Sequence, residues 1–241
     1  MRLLQRHDDG RISLTEDIFD ERTIPAYAIL SHTWGATDDE VTFADLTNGR
    51  GAAKAGYNKI LFCARQARRD GLKHFWVDCC CINKADCAEL SQAIRSMFRW
   101  YRNAARCYVF LSDVDMSAWE DDCEVSTAYW ISSFRSSRWF TRGWTLQELL
   151  APTSIEFFSR DGRRLGDGLS LVHTISEITR VPLAALQGGP LSHFSVSERI
   201  SWMASRQCKL EEDEAYSLQG LFDVHMPLLY GEGKKSAMAR L

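Results

Sequence analysis

Short apolar runs alternate with amphipathic segments between residues 27 and 158. Apolar runs that end in polar or turn residues are typical of buried strands, and they predict strands at 27–31, 74–78, 107–111 and 154–158. Apolar side chains recur every three or four positions over residues 54–70, which predicts a helix that ends at Asp70 and Gly71. The same spacing predicts helices at 90–101 and 145–150, and the acidic stretch 112–125 predicts a loop.

After about residue 165 the pattern changes to helices, which are predicted at 169–180, 195–205 and 212–222. Ser195 and Glu198 have the spacing of a capping box at the start of one helix. Residues 227–233 predict an end to regular structure. No linker, repeat or low-complexity run separates this part from the rest. We therefore expect one domain over residues 1–241, with an α/β core at about 24–160 and a helical extension at about 165–241 packed on it.

Strands that alternate with helices favour right-handed crossovers and a parallel sheet. The predicted fold class is therefore α/β, a parallel sheet flanked by helices, with an additional and mostly helical C-terminal half. Ligands bind such sheets beyond the carboxyl ends of the strands. This rule points to residues 31–35, to Asp78 and to residues 112–113.

The composition excludes several classes of protein. The chain has 241 residues, of which 45% are hydrophobic and 25% charged, which is an ordinary globular balance. Its net charge of −3 gives no reason to expect a nucleic-acid partner. It has neither a run of apolar residues long enough to span a membrane nor a signal peptide at its start. We expect a cytoplasmic protein.

The eight cysteines do not form the spaced pattern of a disulfide framework, because Cys79, Cys80 and Cys81 are consecutive. We expect reduced thiols, no disulfide and no metal. The alternative is zinc held by Cys79, Cys81 and Cys87 with His32 or His74, although no paired CxxC unit supports it.

The sequence contains no glycine-rich dinucleotide fingerprint, phosphate loop or nucleophile elbow. Unusual polar and aromatic residues stand instead at the predicted strand ends and before the short helix at 145–150. Aromatic faces can stack on a nucleobase or nicotinamide ring, and arginines can hold phosphates. A carboxylate can stabilise an oxocarbenium ion. The resulting candidates are Glu148 as catalytic carboxylate, with Ser31, His32, Trp34, Asp78, Arg138 and Trp144 as binding residues.

Each candidate also has a purely structural interpretation. His32 could be a hydrogen-bonded structural histidine, and Asp78 could cap the turn that follows it. The tryptophans could pack the sheet against the helical half, and the arginines could be solvated. Thr145 and Glu148 have the spacing of a capping box, in which Thr145 would be the N-cap.

Six long blocks occur in the order found in the HET (heterokaryon incompatibility) domain of filamentous fungi. They are YAILSHTWG at 27–35, WVDCCCINK at 76–84, AELSQAIRSMFRWYR at 88–102, SRWFTRGWTLQELLAP at 137–152, EDEAYSL at 212–218 and MPLLYGEG at 226–233. The chain resembles this family over essentially its whole length. The resemblance implies a role in fungal nonself recognition and regulated cell death.

Residues 70–158 are also similar to a TIR domain in the order of their elements. Residues 71–78 resemble the strand before the TIR BB loop, and residues 137–149 resemble the plant TIR stretch that carries the catalytic glutamate, which would be Glu148. This resemblance implies a TIR-like or flavodoxin-like sheet and cleavage of the nicotinamide–ribose bond of NAD+. The sequence departs from TIR by a longer loop at 112–136 and by its helical half.

Three functions follow from these observations. The first is a TIR-type NAD+ glycohydrolase that uses NAD+, or a related nucleotide, as substrate and needs no cofactor. In TIR domains neighbouring subunits help to complete the site, so this function predicts self-association in the active state. The second is a non-enzymatic death-signalling module that acts by assembly or partner binding, and the third is a zinc-dependent hydrolase. The upstream sensor cannot be named from the sequence.

Overall fold

A single sheet organises the chain in the computed structural model, which describes the backbone of residues 1–117 and 124–241 and the side chains of all of these except 124–129. The strand order across the sheet is β2-β1-β4-β3-β5-β6-β7. The strands among the described residues are β1 (Leu4–Arg6), β2 (Ile12–Leu14), β3 (Tyr27–His32), β4 (His74–Trp76), β5 (Arg106–Leu111), β6 (Ile155–Ser159) and β7 (Arg164–Asp167).

The four central strands are parallel, as predicted. β3 pairs with β4 on one side and with β5 on the other, and β5 pairs with β6. The two edges are antiparallel, because β1 pairs antiparallel with both β2 and β4, and β7 turns back along β6. The sheet is therefore mixed, and it extends from Leu4 to Asp167, beyond the core predicted at 24–160.

The helices alternate with the central strands and then dominate the C-terminal part. The α-helices among the described residues are α1 (Phe43–Thr47), α2 (Tyr57–Arg69), α3 (Asp78–Cys81), α4 (Cys87–Asn103), α5 (Glu124–Arg135), α6 (Thr145–Leu150), α7 (Val172–Thr179), α8 (Leu183–Leu186), α9 (Val196–Ser201), α10 (Asp213–Tyr216), α11 (Gln219–Phe222) and α12 (Lys234–Arg240). Four short 3-10 helices complete them, at Glu21–Thr23, Gly51–Ala53, Arg138–Thr141 and Leu191–His193.

Helices α2 and α4 cover opposite faces of the sheet. The chain moves outward from β3 to β4 through α2 and returns across β3 to β5 through α4, so right-handed crossovers place these helices on opposite sides. Phe62 of α2 packs on Phe110 and Phe158, whereas Trp100 of α4 packs edge-to-face on Trp76. Gly71, with φ of 74°, ends the first crossover helix in the left-handed region that glycine tolerates.

Most predicted elements are confirmed, with local differences. The predicted capping box of Ser195 and Glu198 begins α9, whereas the helix predicted at 212–222 is divided into α10 and α11. The prediction of a loop at 112–125 is wrong at its C-terminal end, because α5 begins at Glu124. Residues 118–123 of this predicted loop lie outside the described residues. The hairpin of β1 and β2, strand β7 and helix α12 were not predicted.

The helical half packs directly on the segment that precedes α6. The backbone N–H of Gly143 donates to the carbonyl of Gln207 at 3.0 Å, and the N–H of Gln207 donates to the carbonyl of Thr141 at 2.6 Å. Leu146 of α6 shares a buried cluster with Trp202 of the helical half. The division into a core and an extension packed on it stays a prediction, and these contacts support it.

Candidate functional site

A cavity of about 250 Å³ lies at the carboxyl edge of the sheet, beside the end of β3. The chain leaves β3 in one direction and returns to β5 in the other, which makes this edge a topological switch point where ligands bind. Glu148 and His32 are buried at its floor, whereas Trp34, Leu210 and Tyr230 are 45%, 46% and 43% exposed at its rim. The other lining residues are Thr33, Asp78, Ile82, Lys84, Leu90, Ile94, Met97, Arg142, Trp144, Thr145, Lys209 and Asp213.

Glu148 turns its carboxyl group from the first turn of α6 toward the end of β3. The Ser31 hydroxyl donates to Oε2 of Glu148 at 2.5 Å, and the Trp139 indole N–H donates to Oγ of Ser31 at 2.8 Å. Burial is the main cause that raises the pKa of Glu148 to about 8, while the Ser31 hydrogen bond opposes the rise and the charge of Asp78 adds to it. A buried carboxyl with so raised a pKa, in a cleft, is typical of a functional site.

The capping-box interpretation of Thr145 and Glu148 is wrong. Helix α6 begins at Thr145, its N-cap residue is Trp144, and no side chain caps it. The Thr145 hydroxyl donates instead to a backbone carbonyl, with the oxygen of Trp139 at 2.5 Å. The Glu148 carboxyl is therefore held by a distant strand and not by its own helix terminus, which removes the main structural explanation for this residue.

His32 lies at the end of β3 with its imidazole buried. Its Nε2 is 3.6 Å from Oδ1 of Asp78, beyond hydrogen-bonding distance, and has no hydrogen-bond partner among the described residues. Burial is the main cause that lowers the pKa of His32 to about 3. The imidazole is therefore neutral at pH 7, and the interpretation of His32 as a fully hydrogen-bonded structural residue does not fit this nitrogen.

Asp78 links the two loops that follow β3 and β4. It is the first residue of α3 and does not close a strand, and no side chain caps α3. Its Oδ2 accepts from the indole N–H of Trp34 at 2.9 Å and from the ammonium of Lys84 at 3.4 Å. The same ammonium lies 3.5 Å from the centroid of the Trp34 ring. The cation–π contact and the shared carboxylate hold Trp34 at the rim.

Arg138 is the one predicted binding residue that points away from the site. Its backbone N–H donates to Asp113 at 2.7 Å, its guanidinium lies 3.9 Å from the same carboxylate, and 61% of its side chain is exposed. Arg142, four residues later, lines the cavity instead. Ser31 reaches the site only through Glu148 and is not a lining residue. The structure thus brings together Ser31, His32, Trp34, Asp78, Trp144 and Glu148, whose roles stay predictions.

The helical half supplies lining residues that the sequence analysis missed. Lys209 and Leu210 lie just before α10, and Tyr230 comes from the irregular tail. The Tyr230 hydroxyl donates to Asp213 at 3.0 Å. Burial is the main cause that raises the pKa of Asp213. Asp213 and Tyr230 fall in the blocks at 212–218 and 226–233, which carried no indication of where the tail would fold, and no motif marked Lys209 or Leu210.

Arg206 is a second missed residue, buried behind α6. Its Nη1 donates to the carbonyl of Arg142 and to the hydroxyl of Thr145, each at 2.8 Å. Its Nε and Nη2 have no hydrogen-bond partner among the described residues. Its positive charge lowers the pKa of Glu148, against the larger effect of burial. Arg206 is therefore a nearby positive charge that favours the ionised form of the carboxylate.

One group of side chains at this edge has the composition of a metal site. Ligand atoms of His32, Asp78 and Cys79 lie within 4.8 Å of one another. The other cysteines of the zinc alternative do not join them, because Cys81 accepts from the backbone of its own turn at 3.3 Å and Cys87 is exposed. The ammonium beside Asp78 already supplies a positive charge there, so the absence of a metal stays our prediction. All seven described cysteines are free, and Cys123 lies outside the described residues.

These features define an α/β protein with a buried, perturbed carboxyl group in a cleft at the switch point of the sheet. Residues 27–130 match the family described as Heterokaryon incompatibility protein (HET). The chain is 57% identical, over all of its 241 residues, to Vegetative incompatibility protein HET-E-1 of Podospora anserina, and it spans 18% of the length of that relative. Residues 27–130 therefore belong to the heterokaryon incompatibility (HET) family.

No solved structure matches the chain. Across the described part of the chain, no helix has both the length and the apolar character that crossing a membrane requires.

Proposed function

We propose that this chain is an effector domain of fungal heterokaryon incompatibility and cell death, and that it acts by cleaving the nicotinamide–ribose bond of NAD+ with Glu148 as the catalytic carboxylate. The observation that carries the proposal is the Glu148 carboxyl group, which is buried at the floor of a cavity and oriented by the hydroxyl of Ser31. The family membership supports the biological role, and the resemblance to TIR domains supports the reaction.

The proposed chemistry needs one carboxylate and no cofactor. The bond between C1′ of the ribose and the ring nitrogen breaks, and its electron pair leaves with nicotinamide, which becomes neutral. Positive charge then develops on the ribose, where the ionised Glu148 stabilises it. A water oxygen next bonds to C1′, and Glu148, with a pKa near 8, accepts the proton that the water releases.

The substrate itself favours the ionised form of Glu148. Glu148 is mostly protonated at neutral pH, because burial penalises its charge more than the Ser31 hydrogen bond and the charge of Arg206 favour it. The nicotinamide ring of NAD+ carries a positive charge, which in the cavity would offset that penalty. Binding of substrate would therefore release the proton and prepare the carboxylate for the developing ribosyl cation.

The test is incubation of the purified chain with NAD+ and measurement of free nicotinamide over a range of protein concentrations. We expect turnover that Glu148→Gln reduces by about a hundredfold or more, the effect of removing a preorganised electrostatic group. Glu177→Gln is the matched control, because Glu177 pairs with Arg135 on the surface and has an exposed side chain. Turnover in Glu148→Gln equal to wild type would exclude Glu148 as the catalytic group.

The protein-concentration series also tests self-association. The resemblance to TIR domains predicts that the turnover per molecule rises with concentration, together with the mass measured by light scattering. Full turnover per molecule in dilute monomer would contradict this prediction. Absence of any turnover at high concentration would favour the non-enzymatic signalling module. The cytoplasmic location also stays a prediction.

A further inference from the structure

The cavity is too small to enclose a whole dinucleotide. Its volume of about 250 Å³ falls below the roughly 300–1,000 Å³ of sites that bury a drug-sized ligand. A ring and its ribose at the buried floor beside Glu148 would leave the rest of the molecule at the rim. The next groups along a dinucleotide are the two phosphates, so the charges at the rim decide whether the phosphates are bound.

Two of the cationic side chains that line the cavity are not paired with any other described residue. Arg142 is half-buried and Lys209 is exposed, and neither side chain makes a hydrogen bond or an ion pair with any described residue. Lys84, the third lining cation, is already engaged by Asp78 and by the face of Trp34. Arg142 and Lys209 are therefore free to bind an anionic ligand.

We propose that Arg142 and Lys209 form the binding site for the pyrophosphate group of a dinucleotide whose ribose lies against Glu148. This inference rests on the proposed function and extends it, because it gives the helical half a direct part in substrate binding. An arginine can bind a phosphate through two parallel hydrogen bonds, whereas a lysine supplies a compact charge. The substrate class is then a nucleotide with a diphosphate bridge, and nucleosides without phosphates are poor substrates.

The backbone that carries Arg142 is held firmly enough to position its side chain. Its carbonyl accepts from the buried Arg206 at 2.8 Å, and the next residue, Gly143, pairs with the backbone of Gln207. Lys209 follows two residues after Gln207, so one pairing between the two halves places both cations. The site is thus assembled from segments that are far apart in the sequence.

The carboxylates that line the cavity near these cations already accept hydrogen bonds from other residues. Asp213 interacts electrostatically with Arg142, but it is buried and accepts from Tyr230. Asp78 accepts from Trp34 and Lys84. A phosphate at the rim would therefore meet cations that are not neutralised by hydrogen-bonded carboxylates.

The experiment compares NAD+ with nicotinamide riboside, which has the same scissile bond and no phosphate. Arg142→Ala and Lys209→Ala should each raise KM for NAD+ by about tenfold, the scale of one charge-assisted hydrogen bond. Both variants should lose much less kcat/KM with nicotinamide riboside than with NAD+. Arg142→Lys should recover part of the loss. Arg138→Ala is the matched control, because Arg138 lies outside the cavity, and should behave as wild type.

Binding of ADP-ribose, measured by calorimetry on the full chain, separates this inference from the proposed reaction. Wild-type protein should bind ADP-ribose, and Arg142→Ala should weaken binding by about tenfold even if no variant cleaves NAD+. An unchanged KM and unchanged ADP-ribose affinity in both alanine variants would overturn the inference and leave the reaction at Glu148 untouched. Equal losses with nicotinamide riboside would also overturn it, since they would indicate a structural effect. A larger loss in Arg138→Ala would assign the phosphates to the exposed arginine instead.

Discussion

The Oγ atom of Ser31 lies 2.5 Å from Oε2 of Glu148, although 117 positions separate the two residues in the chain. The indole N–H of Trp139 can only donate, so Ser31 accepts from it and has one proton left for Glu148. When Glu148 is ionised it can only accept, and the order of donation from Trp139 through Ser31 to Glu148 is then fixed. Ser31 acts as a positioning residue for the carboxylate and does not line the cavity.

We predict that Ser31→Ala displaces the pH dependence of NAD+ cleavage to higher pH. The Ser31 hydrogen bond lowers the pKa of Glu148, so its removal raises that pKa further. The alkaline shift should appear in the profile of kcat/KM, with a loss of activity at pH 7 and partial recovery at pH 9. The exposed Ser136→Ala is the control, and an unshifted profile in Ser31→Ala would contradict the role of the hydroxyl.

The kcat/KM of the wild-type protein for NAD+ should also change steeply with pH near neutrality. If the ionised Glu148 is the active form, kcat/KM rises with pH and levels off above about pH 8, because this quantity reports the free enzyme. The profile of kcat reports the complex, in which the positive ring of NAD+ favours the carboxylate. We therefore expect its rise at a lower pH than that of kcat/KM. If the pH profiles of kcat and kcat/KM coincide, or if Glu148→Gln still shows the rise with pH, Glu148 is not the ionising group.

Glu148→Gln should become more stable than wild type as the pH rises. The pKa of Glu148 is about 8 in the folded chain and near 4.5 when exposed, so the folded state holds more protons between these values and loses stability as the pH rises through the window. Each pH unit costs up to about 1.4 kcal/mol. Urea unfolding of both proteins from pH 5 to pH 8.5 measures the difference between their free energies of unfolding. A difference that stays constant with pH would contradict the prediction.

The close packing of the helical half on the α6 segment gives a stability prediction. A methyl group on Gly143 would collide with Sγ of Cys208, so Gly143→Ala should destabilise the chain by about 1–3 kcal/mol. Cys208→Ala removes the colliding sulfur, and the double variant should recover much of the loss. Chemical unfolding of wild type, the two single variants and the double variant measures these free energies of unfolding. Strictly additive losses of stability would show that the two residues do not touch.

A final prediction concerns zinc. Because Lys84 already lies beside Asp78, the group of His32, Asp78 and Cys79 should not retain the metal. Elemental analysis of chelator-washed protein should find far less than one zinc per chain. Stoichiometric zinc that Cys79→Ser abolishes, and that the exposed Cys87→Ser does not, would reverse this conclusion and revive the zinc hydrolase.

Much of the fold could be predicted because its central strands and crossover helices have strong periodic patterns. β3, β5 and β6 are each an apolar run, and a parallel arrangement follows from the helices between them. The edge strands β1, β2 and β7 are only three or four residues long and gain their structure from pairing, so no local pattern identified them.

The site was predictable where the strand-end rule applies and uncertain elsewhere. Ser31, His32 and Asp78 follow from that rule. The capping box of Glu148 was a sound local prediction that a long-range hydrogen bond overrode. Arg138 and Arg142 are equivalent in sequence, and only the tertiary structure shows which of them faces the cavity.

The contribution of residues 209–230 to the rim has a consequence for the synthesis of this chain. A nascent chain on the ribosome would already contain Glu148, Ser31 and the strands that orient them, but it would lack Lys209, Leu210 and Tyr230 until nearly the whole domain had been translated. The cavity is complete only after residues 209–230 have emerged and folded back. If the proposed cleavage takes place in this cavity, a nascent chain cannot perform it before residues 209–230 have emerged from the ribosome.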